Sequence, residues 1–382
     1  MYPVSYKWAE AADEILAPEG LIEISCYIPE LRETLVYTKK DLLSFTHQQT
    51  GSLVSGELPK NHIEFSLDNS DGVWNPSNPR GLERYLSERL RITLRYGFVI
   101  NGVEEWIPGG IFYLSEWRTP TNGLEASFVA RDIFEYMIDR LYTGPMEGTL
   151  YDIVQNVLAE AGISTSDAIL GEIVLGEAAL PAVDISKRLK KYSVGEIKYE
   201  GTERMAAILQ KCANAAGCAI YQGRDGQLIV KPISYTDSGF VVSQHLSYSH
   251  PKIEFSRPIK NVLVTYYGNA VEEYKFSDSG ETQTMNNNLI KTKKQASEMA
   301  RWVCNSLLTR RQISVEFRGD PRFDLFDVVG VESKYGMITG VVLTDIKCVF
   351  TGAFYVTCSG YVRGTGSAGV AYSGEIYTGE VM

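Results

Sequence analysis

One stretch of the chain alternates strictly between apolar and polar residues, and it limits the possible fold more than any other feature. In "ERLRITLRYGF", the apolar residues Leu90, Ile92, Leu94 and Tyr96 are each separated by one polar residue. A period of two predicts a β-strand with one buried face and one polar face. The 23 Tyr, 14 Phe and 34 Gly residues favour sheets joined by tight turns. The sequence therefore predicts a β-rich protein, either all-β or α+β.

A hairpin is predicted directly after this strand. The segments "GIFYLSEW" and "LEASFVAR" are two strands, and Asn122-Gly123 between them accepts the left-handed backbone angles that a hairpin turn needs. Asp132 then predicts the N-cap of a short helix, "IFEYMIDRLY", with Glu135 completing a capping box. The stretch 105–132 contains two tryptophans but no histidine or cysteine. It indicates a structural hairpin that leads the chain into a helix.

Two amphipathic helices are predicted in the middle of the chain. "GTLYDIVQNVLAEAG" has Thr149 as its N-cap and Gly162 as its stop, and "TERMAAILQKCANAAG" has Thr202 and Gly217 in the same positions. The segment "CAIYQGRDGQLIVKPI" follows as a hairpin that turns at 224–226. This part of the chain therefore predicts a separate α/β unit.

The β pattern then returns and resembles the first part. "NVLVTYYG" and "QISVEFRG" are predicted strands, "QASEMARWVCNSLLTR" is a predicted helix, and "GVVLTDIKCVFTGAFYVTCSGYV" is a hairpin like the earlier one. The tetrapeptide "IEFS" occurs twice, at 63–66 and at 253–256, and each copy precedes a helix and then a hairpin. This recurrence predicts an internal duplication.

These patterns divide the chain into four segments. We expect a first β domain, an α/β insertion domain, a second β domain with one long helix, and a flexible Gly/Ser-rich tail. The four cover residues 1–145, 146–235, 236–364 and 365–382. The predicted fold class is α+β and β-rich, with two related β domains separated by the insertion.

Charge and composition exclude several kinds of protein. The chain has 37 Lys and Arg against 47 Asp and Glu, a formal net charge of −10, whereas a nucleic-acid-binding protein needs a basic patch. An acidic wall would instead let a polyanion slide past without sticking. The start of the chain lacks the features of a secretory signal, and no segment is apolar enough to span a membrane. The six scattered cysteines are expected to be reduced and buried.

No motif predicts catalysis, a cofactor or a metal. The glycines at 364–369 match G-x-G-x-x-G, but no helix follows them as a dinucleotide site requires. H-E-x-x-H and G-x-S-x-G are both missing from the sequence. Asp320, Asp324 and Asp327 lie close together, and they are either turn and strand-edge carboxylates or, less in keeping with the pattern, ligands of a divalent ion.

Five residues are candidates for contact with another subunit. Arg89, Arg91 and Arg95 share one face of the alternating strand, and they either form a solvated edge or meet an acidic neighbour. Trp106 and Trp117 belong to the core or to an interface, because tryptophan is enriched in both.

The chain resembles a known family. The run that begins "HIEFSLDNSDGVWNPSNPRG" and continues to "ASFVARDIFEYM" is similar to tail hub (baseplate hub, tail-tip) proteins of bacteriophages and phage-tail-like particles. "AAILQKCANAAGCAIYQGRDGQLIVKPI", "KIEFSRPIKNVLVTYYG" and "GDPRFDLFDVVGV" follow in the same order as in that family. The likeness spans most of residues 45–360.

The resemblance implies a structural protein and not an enzyme. It implies two tube-like β-barrel domains in each chain of a homotrimer, so that six similar units match a six-fold tail tube to a three-fold spike or fibre. The implied partners are the tail tube or distal tail ring protein, and the central spike, fibre or tape-measure protein. DNA would pass transiently through an acidic lumen during genome ejection. The implied location is the virion tail tip, assembled in the bacterial cytoplasm, with no membrane anchor and no cofactor.

Two other functions remain open at this point. A distal tail ring would be a hexamer with one tube unit per chain, and a receptor-binding or carbohydrate-binding baseplate component would share the tail location. A tail-associated cell-wall hydrolase would need a pair of carboxylates, which the sequence does not single out. Some members of the family carry a C-terminal peptidase or lysozyme domain, whereas this sequence has about 18 residues after the second β segment.

Overall fold

The computed structural model describes residues 1–14, 16–119, 123–162, 173–175, 178–180, 183–195, 197, 201–363, 371–372 and 375–376. Over these residues the protein has the α+β, β-rich composition that the sequence predicts. Its α-helices in the described part of the chain are α1 (Tyr6–Asp13), α2 (Leu150–Glu160), α3 (Met205–Ala215) and α4 (Lys293–Leu307). None of the helices in these ranges is long and apolar enough to cross a membrane.

The first β region is built from seven antiparallel strands. They are β1 (Glu19–Ile28), β2 (Glu33–Thr38), β3 (Leu42–Thr50), β4 (Lys60–Asp68), β5 (Arg91–Ile100), β6 (Val103–Arg118) and β7 (Glu125–Arg131), paired in the order β2-β1-β5-β6-β7-β4-β3. The predicted alternating strand is β5, in which Ile92, Leu94 and Tyr96 are buried. The predicted hairpin is β6 with β7, and Asn122 of its turn lies outside the described residues.

The middle of the chain combines helices with short strands. These are β8 (Ile173–Leu175), β9 (Ala178–Leu180), β10 (Val183–Ile185), β11 (Ala219–Gln222) and β12 (Leu228–Lys231). Helix α2 begins at the predicted cap Thr149, whose side chain and that of Asp152 form a capping box. The predicted cap Thr202 is wrong, because α3 begins three residues later. Just before α3, the amide of Tyr142 donates to Glu203 O at 3.0 Å. This hydrogen bond holds residues 203–204 extended ahead of the helix.

The second β region and a small sheet complete the chain. The strands are β13 (Asp237–Val242), β14 (Lys252–Phe255), β15 (Ile259–Tyr266), β16 (Ala270–Lys275), β17 (Glu281–Asn286), β18 (Arg311–Arg318), β19 (Val328–Ser333), β20 (Gly336–Phe350), β21 (Phe354–Val362), β22 (Ala371–Tyr372) and β23 (Glu375–Ile376). The hairpin of β20 and β21 and the helix α4 are present as predicted. The glycine motif and the predicted tail, apart from β22 and β23, lie outside the described residues.

Two large hydrophobic cores hold these elements. The first lies between the β strands and is aromatic, with Trp8, Phe45, Tyr96 and Phe354 among its buried members. The second is mainly aliphatic and joins α2, α3, α4 and β15. Helix α4, which the sequence pattern groups with the second β segment, therefore packs in the same core as the helices of the middle segment.

One predicted helix is only a single 3-10 turn. A first 3-10 turn spans Glu83–Tyr85 ahead of β5, and the predicted helix "IFEYMIDRLY" is helical only over a second turn, Ile133–Tyr136. Asp132 does cap the second turn, since its Oδ1 accepts from the amide of Phe134 at 3.1 Å. The predicted capping box is not formed, because the carboxylate of Glu135 lies 3.7 Å from Arg131 instead. All six cysteines are free and five are buried, as the sequence predicts.

The strands of the two β regions follow the same plan. In chain order and in space, β3-β4-β7-β6-β5 has its counterpart in β14-β18-β21-β20-β19. The outer neighbours differ, since β1 is antiparallel to β5 whereas β13 is parallel to β19. Between β3 and β4 the first region has only residues 51–59, whereas the second carries β15, β16, β17 and α4 at the corresponding position.

Local irregularities fix which residues correspond. The β6–β7 ladder shifts register between Leu114 and Glu116, and the β20–β21 ladder shifts between Leu343 and Asp345. The sequences at these bulges are Leu-Ser-Glu and Leu-Thr-Asp. Leu114 and Leu343 therefore occupy equivalent positions.

A second irregularity supports the same match. Arg89 and Phe326 both have left-handed backbones, with φ of 67° and 68°. Their amides donate to the carbonyl oxygens of Leu114 and Leu343 at 2.7 and 2.8 Å. Such angles are uncommon outside glycine, so their recurrence at matched places is informative.

The tetrapeptide that first indicated a duplication is misleading. "IEFS" lies on β4 in the first region but ends β14 in the second, and β14 is the counterpart of β3. The equivalent residues Leu114 and Leu343 pair with Ala130 and Gly360. These two residues pair in turn with Ile63 of β4 and Ile313 of β18, so Ile63 corresponds to Ile313. A four-residue match can arise without structural equivalence, and here it does.

Candidate subunit interface

The two β regions meet along β3 and β20. These strands pair antiparallel from Thr46 opposite Val349 to Thr50 opposite Asp345. The amide of Gly51 extends the ladder by donating to Thr344 O at 2.8 Å. This joint, which we name the β3–β20 joint, connects both regions into one continuous sheet within the chain.

A neutral histidine is buried at the β3–β20 joint. His47 lies opposite Cys348, is 3% exposed and contacts Tyr96 Oη at 2.7 Å and Asn61 Oδ1 at 2.8 Å. These contacts fit an imidazole whose Nε2–H donates to the amide oxygen while Nδ1 accepts from the hydroxyl. Burial lowers the pKa of His47 to about 3, so the ring is neutral at ordinary pH.

Arg224 ties the middle segment to both β regions. It projects from the β11–β12 turn and its side chain is 6% exposed. Its Nε lies 2.5 Å from Asp324 Oδ1, its Nη2 donates to Pro321 O and Phe323 O at 2.6 and 2.7 Å, and its Nη1 donates to Pro108 O at 3.1 Å. Sequence reasoning identified this turn but gave its arginine no role.

The three clustered aspartates have protein partners. Asp320 Oδ2 lies 2.5 Å from Arg322 Nε, Asp324 binds Arg224, and Asp327 accepts from the amide of Asp324 at 2.7 Å. Burial raises the pKa values of Asp320 and Asp327. Within the described ranges, no group of three or more His, Cys, Asp or Glu residues could hold a metal ion. The contacts agree with turn and strand-edge carboxylates.

Arg95 and Trp106 form one cluster on the sheet. The Arg95 guanidinium lies 4.9 Å from the centre of the Trp106 ring and its Nη1 is 3.0 Å from Glu23 Oε1. The Trp106 Nε1–H donates to Glu104 at 3.1 Å. A Cβ on Gly97 would lie 2.9 Å from the indole, so this glycine makes room for the ring. Glu23 of the same chain thus already engages this arginine.

The other predicted interface residues are scattered. Arg89 forms the left-handed turn before β5, and Arg91 is partly buried at the start of that strand. Trp117 lies near the end of β6, opposite Phe128, and is partly packed on the aromatic core. Their role in subunit contact stays a prediction.

The main path of the large sheet has an open strand edge at each end in the described part of the chain. The long sheet ends at β2 on one side and at β14 on the other. In β14 all four residues are exposed, including Ile253 at 37% and Phe255 at 62%. An open edge presents backbone groups that can pair with another chain. Sequence reasoning missed this edge, because the alternation of charged and apolar residues in "KIEF" occurs at an edge and inside a sheet alike.

Two cavities in the described part of the chain have few acidic side chains in their linings. A cavity of about 710 Å³ is lined by Arg188, Lys294, Arg301 and Arg363, with Glu298 as its one acidic residue. That carboxylate is 3.0 Å from Lys191 Nζ. A second cavity of about 240 Å³, between α3 and β17, has no carboxylate in its lining. Neither provides the two facing carboxylates of a glycosidase.

Known structures share this fold. No protein-family model matches the chain, and no curated protein matches it in sequence. The structure is similar to the 43 kDa tail protein of prophage MuSo2 from Shewanella oneidensis, with a TM-score of 0.59 and 13% identity over 90% of this chain and 98% of that one. It is similar to a tail protein from Neisseria meningitidis MC58, with a TM-score of 0.59 and 12% identity over 90% and 96%. The resemblance to phage tail proteins is therefore confirmed at the level of the fold.

Proposed function

We propose that this chain is the structural hub of a phage tail tip or baseplate and that it works as a homotrimer. The observation that carries the proposal is the presence of two corresponding β regions, joined edge to edge, in one chain. Three copies of such a chain supply six similar units. A ring of that kind matches a six-fold tube on one face to a three-fold spike or fibre on the other.

The proposed domain organisation follows the sequence segments. Residues 1–145 and 236–364 would form two tube-like β-barrel domains, 146–235 an insertion domain, and 365–382 a flexible tail. The shared core of α2, α3 and α4 supports one addition. Residues 256–310, which enter the second β region between β14 and β18, would belong functionally with the insertion.

The proposed partners lie above and below the ring. The tail tube or distal tail ring protein would bind one face, and the central spike, fibre or tape-measure protein would bind the other. The location would be the virion, after assembly in the bacterial cytoplasm. A net charge of −10 supports a lumen that DNA crosses without sticking during genome ejection.

The alternative functions have less support. A hexameric distal tail ring needs one tube unit per chain, and two corresponding β regions exceed that number. A receptor-binding or carbohydrate-binding role would keep the tail location without using the duplication. A cell-wall hydrolase needs a carboxylate pair, which the two described cavities do not supply. We therefore favour a structural role over an enzymatic one.

Electron cryomicroscopy of the protein bound to its tail tube protein tests the proposal. We expect three copies in one ring, with six β units that alternate between the two kinds. Light scattering of the same complex gives an independent count of chains. Six copies in the ring, each contributing one β region to it, would contradict the hub function.

A further inference from the structure

The β3–β20 joint indicates a second strand pairing of the same kind, which one chain does not form by itself. The joint pairs a strand of the first β region with a strand of the second. The counterpart of β3 is β14, and the counterpart of β20 is β6. In the described structure β14 pairs only with β18, and β6 pairs only with β5 and β7. The equivalent pair is therefore not formed within the chain.

The end of β6 has the open side that such a contact needs. On the side away from β21, β20 pairs with β19, then with the turn at Phe326, and then with β3. On the side away from β7, β6 pairs with β5 and then with the turn at Arg89. Beyond that turn, Glu116–Arg118 has no strand on this side in the described part of the chain. Among the described residues, no strand lies beside β6 at the place that β3 takes beside β20.

We propose that β14 of one copy of this chain pairs antiparallel with Glu116–Arg118 at the end of β6 in the next copy. The occupant of each open edge is thus a second copy of the same protein. The inference rests on the proposed hub function, and it adds the strands, the register and the residues by which neighbouring copies join.

The joint fixes the register of this contact. Glu116 is equivalent to Asp345 because both follow the same bulge. His47 pairs with Ile63 of β4, and Ile253 pairs with Ile313 of β18. Because Ile63 and Ile313 are equivalent, Ile253 is equivalent to His47. The pairs Asp345–Thr50 and Lys347–Gln48 then translate into Glu116–Ser256 and Arg118–Glu254. Between them, Trp117 lies opposite Phe255.

The residues that meet are chemically complementary. Arg118 and Glu254 are both exposed and carry opposite charges, which stabilises directly opposed residues on neighbouring strands. Phe255, 62% exposed, lies on the same face of β14 as Ile253, whose partner Ile313 is buried, and Trp117 lies opposite the buried Phe128. Phe255 and Trp117 would therefore face the core side together. Aromatic pairs across strands are favourable. The contact would cover the most exposed apolar side chain of β14.

This contact is heterologous and can close into a ring. Each copy offers β14 on its second region and β6 on its first, so every copy uses both edges once. Heterologous contacts form either a closed ring or an open filament, depending on the rotation between copies. Three copies joined in this way alternate first and second β regions around the ring. The β3–β20 joint connects the two regions within each chain, and the equivalent β14–β6 joint connects neighbouring chains.

Disulfide trapping tests the register directly. One chain carries Arg118→Cys and a second chain carries Glu254→Cys, and both positions are exposed, so folding should be unaffected. We expect the mixture to form covalent dimers under mild oxidation, while each variant alone forms none. A single chain with both substitutions should give covalent species that end at the trimer. Arg118→Cys combined with Lys252→Cys, two residues out of register, is the matched control and should cross-link at least tenfold less.

Charge reversal tests the same pair without a covalent bond. Arg118→Glu or Glu254→Arg should each shift the trimer toward smaller species in light scattering at low salt, and the double exchange should restore it. Glu33→Arg on the other open edge, β2, should leave the trimer intact.

Three outcomes would overturn the inference. A trimer that forms with neither the cross-link nor the charge effect would refute the β14–β6 pairing and leave the hub function standing. Cross-linked species that extend far beyond the trimer would refute the closed ring. A chain that stays monomeric and uncross-linked at high concentration would refute self-pairing, while its binding to the tail tube protein would still decide the hub function separately.

Discussion

The β3–β20 joint and the open edges of β14 and β6 hold corresponding places in the two β regions, yet their chemistry differs. The joint buries polar groups such as His47 and Gln49 beside an aromatic core. The edge strand β14 is only four residues long, every one of its residues is exposed, and it carries Lys252 and Glu254. A joint within a chain forms once, during folding, and tolerates buried polar groups that are fully paired. An edge between chains must stay soluble until assembly, and short, charged strands serve that need.

The pH dependence of stability should show the largest effect at the joint. Burial lowers the pKa of His47 to about 3 in the folded state, while the unfolded chain titrates near 6.5. The unfolded state therefore binds the proton first as the pH falls. The histidine's contribution is complete above pH 6.5 and is lost as the pH falls from 6.5 toward 3, with an upper limit of about 5 kcal/mol. Urea unfolding across this range measures it.

The matched variant is His47→Gln, which keeps a hydrogen-bonding side chain but does not titrate. Other groups titrate alike in both proteins, so the difference between their pH curves isolates the histidine. Parallel loss of stability in the two proteins between pH 6.5 and 3 would contradict this prediction.

A pair of phenylalanines compares the aromatic core beside the joint with the edge by packing alone. Phe354 is 2% exposed and its ring centre lies 5.4 Å from that of Tyr96. Phe354→Ala should cost about 3–5 kcal/mol in urea unfolding, because it leaves a cavity in the core. Phe255→Ala should change the stability of the monomer by less than about 0.5 kcal/mol, because this ring is exposed. If the proposed pairing is right, only the second substitution weakens the trimer without weakening the fold.

Arg224→Met tests the tie between the middle segment and the joint. The substitution removes one ion pair and three hydrogen bonds to backbone oxygens, but it retains the apolar stem. We expect a loss of about 2–3 kcal/mol, less than for a fully buried pair, because Asp324 remains 29% exposed and can be hydrated. Arg204→Met, at an exposed ion pair with Asp139, is the control and should be nearly neutral. Equal effects of the two substitutions would contradict the assigned role.

Much of the local structure could be predicted from the sequence. The period of two in β5 and the apolar stripe of α4 depend only on which faces are buried, and both are present. The start of α3 could not be predicted from Thr202, because a contact between Tyr142 and Glu203 decides it. The correspondence of Arg89 with Phe326 was also inaccessible, since it lies in backbone angles and not in residue type.

The interface candidates show the same limit. Arg91 and Arg95 share one face of β5, as alternation predicts, whereas Arg89 lies in the turn before the strand. Arg95 is engaged by Glu23 of the same chain. The edge of β14 gives almost no sequence signal, because openness depends on which strands pair elsewhere. Pairing order is a property of the whole fold, and a short strand such as "KIEF" reads alike at an edge and inside a sheet.

Salt should have the smallest effect of these changes, and it should act on the contact at the edge of β14 more than on the β3–β20 joint. An exposed ion pair such as Arg118–Glu254 contributes about 0.2–1 kcal/mol and is screened by salt. Raising the salt concentration should therefore weaken each contact between copies by at most about fivefold in dissociation constant. Unfolding of the monomer should respond less, because salt does not screen the contacts of Phe354 and the other apolar groups in the core beside the joint. Analytical ultracentrifugation at several salt concentrations measures the dissociation constant.

The control for this effect is Glu254→Gln, which keeps the size of the side chain and removes its charge. The variant should form a slightly weaker trimer at low salt and should lose most of the salt dependence. The aromatic contact between Trp117 and Phe255 would then hold the edge largely alone. Salt dependence that persists unchanged in the variant would place the charged contact between copies elsewhere on the surface, and the edge of β14 would no longer be the counterpart of the joint.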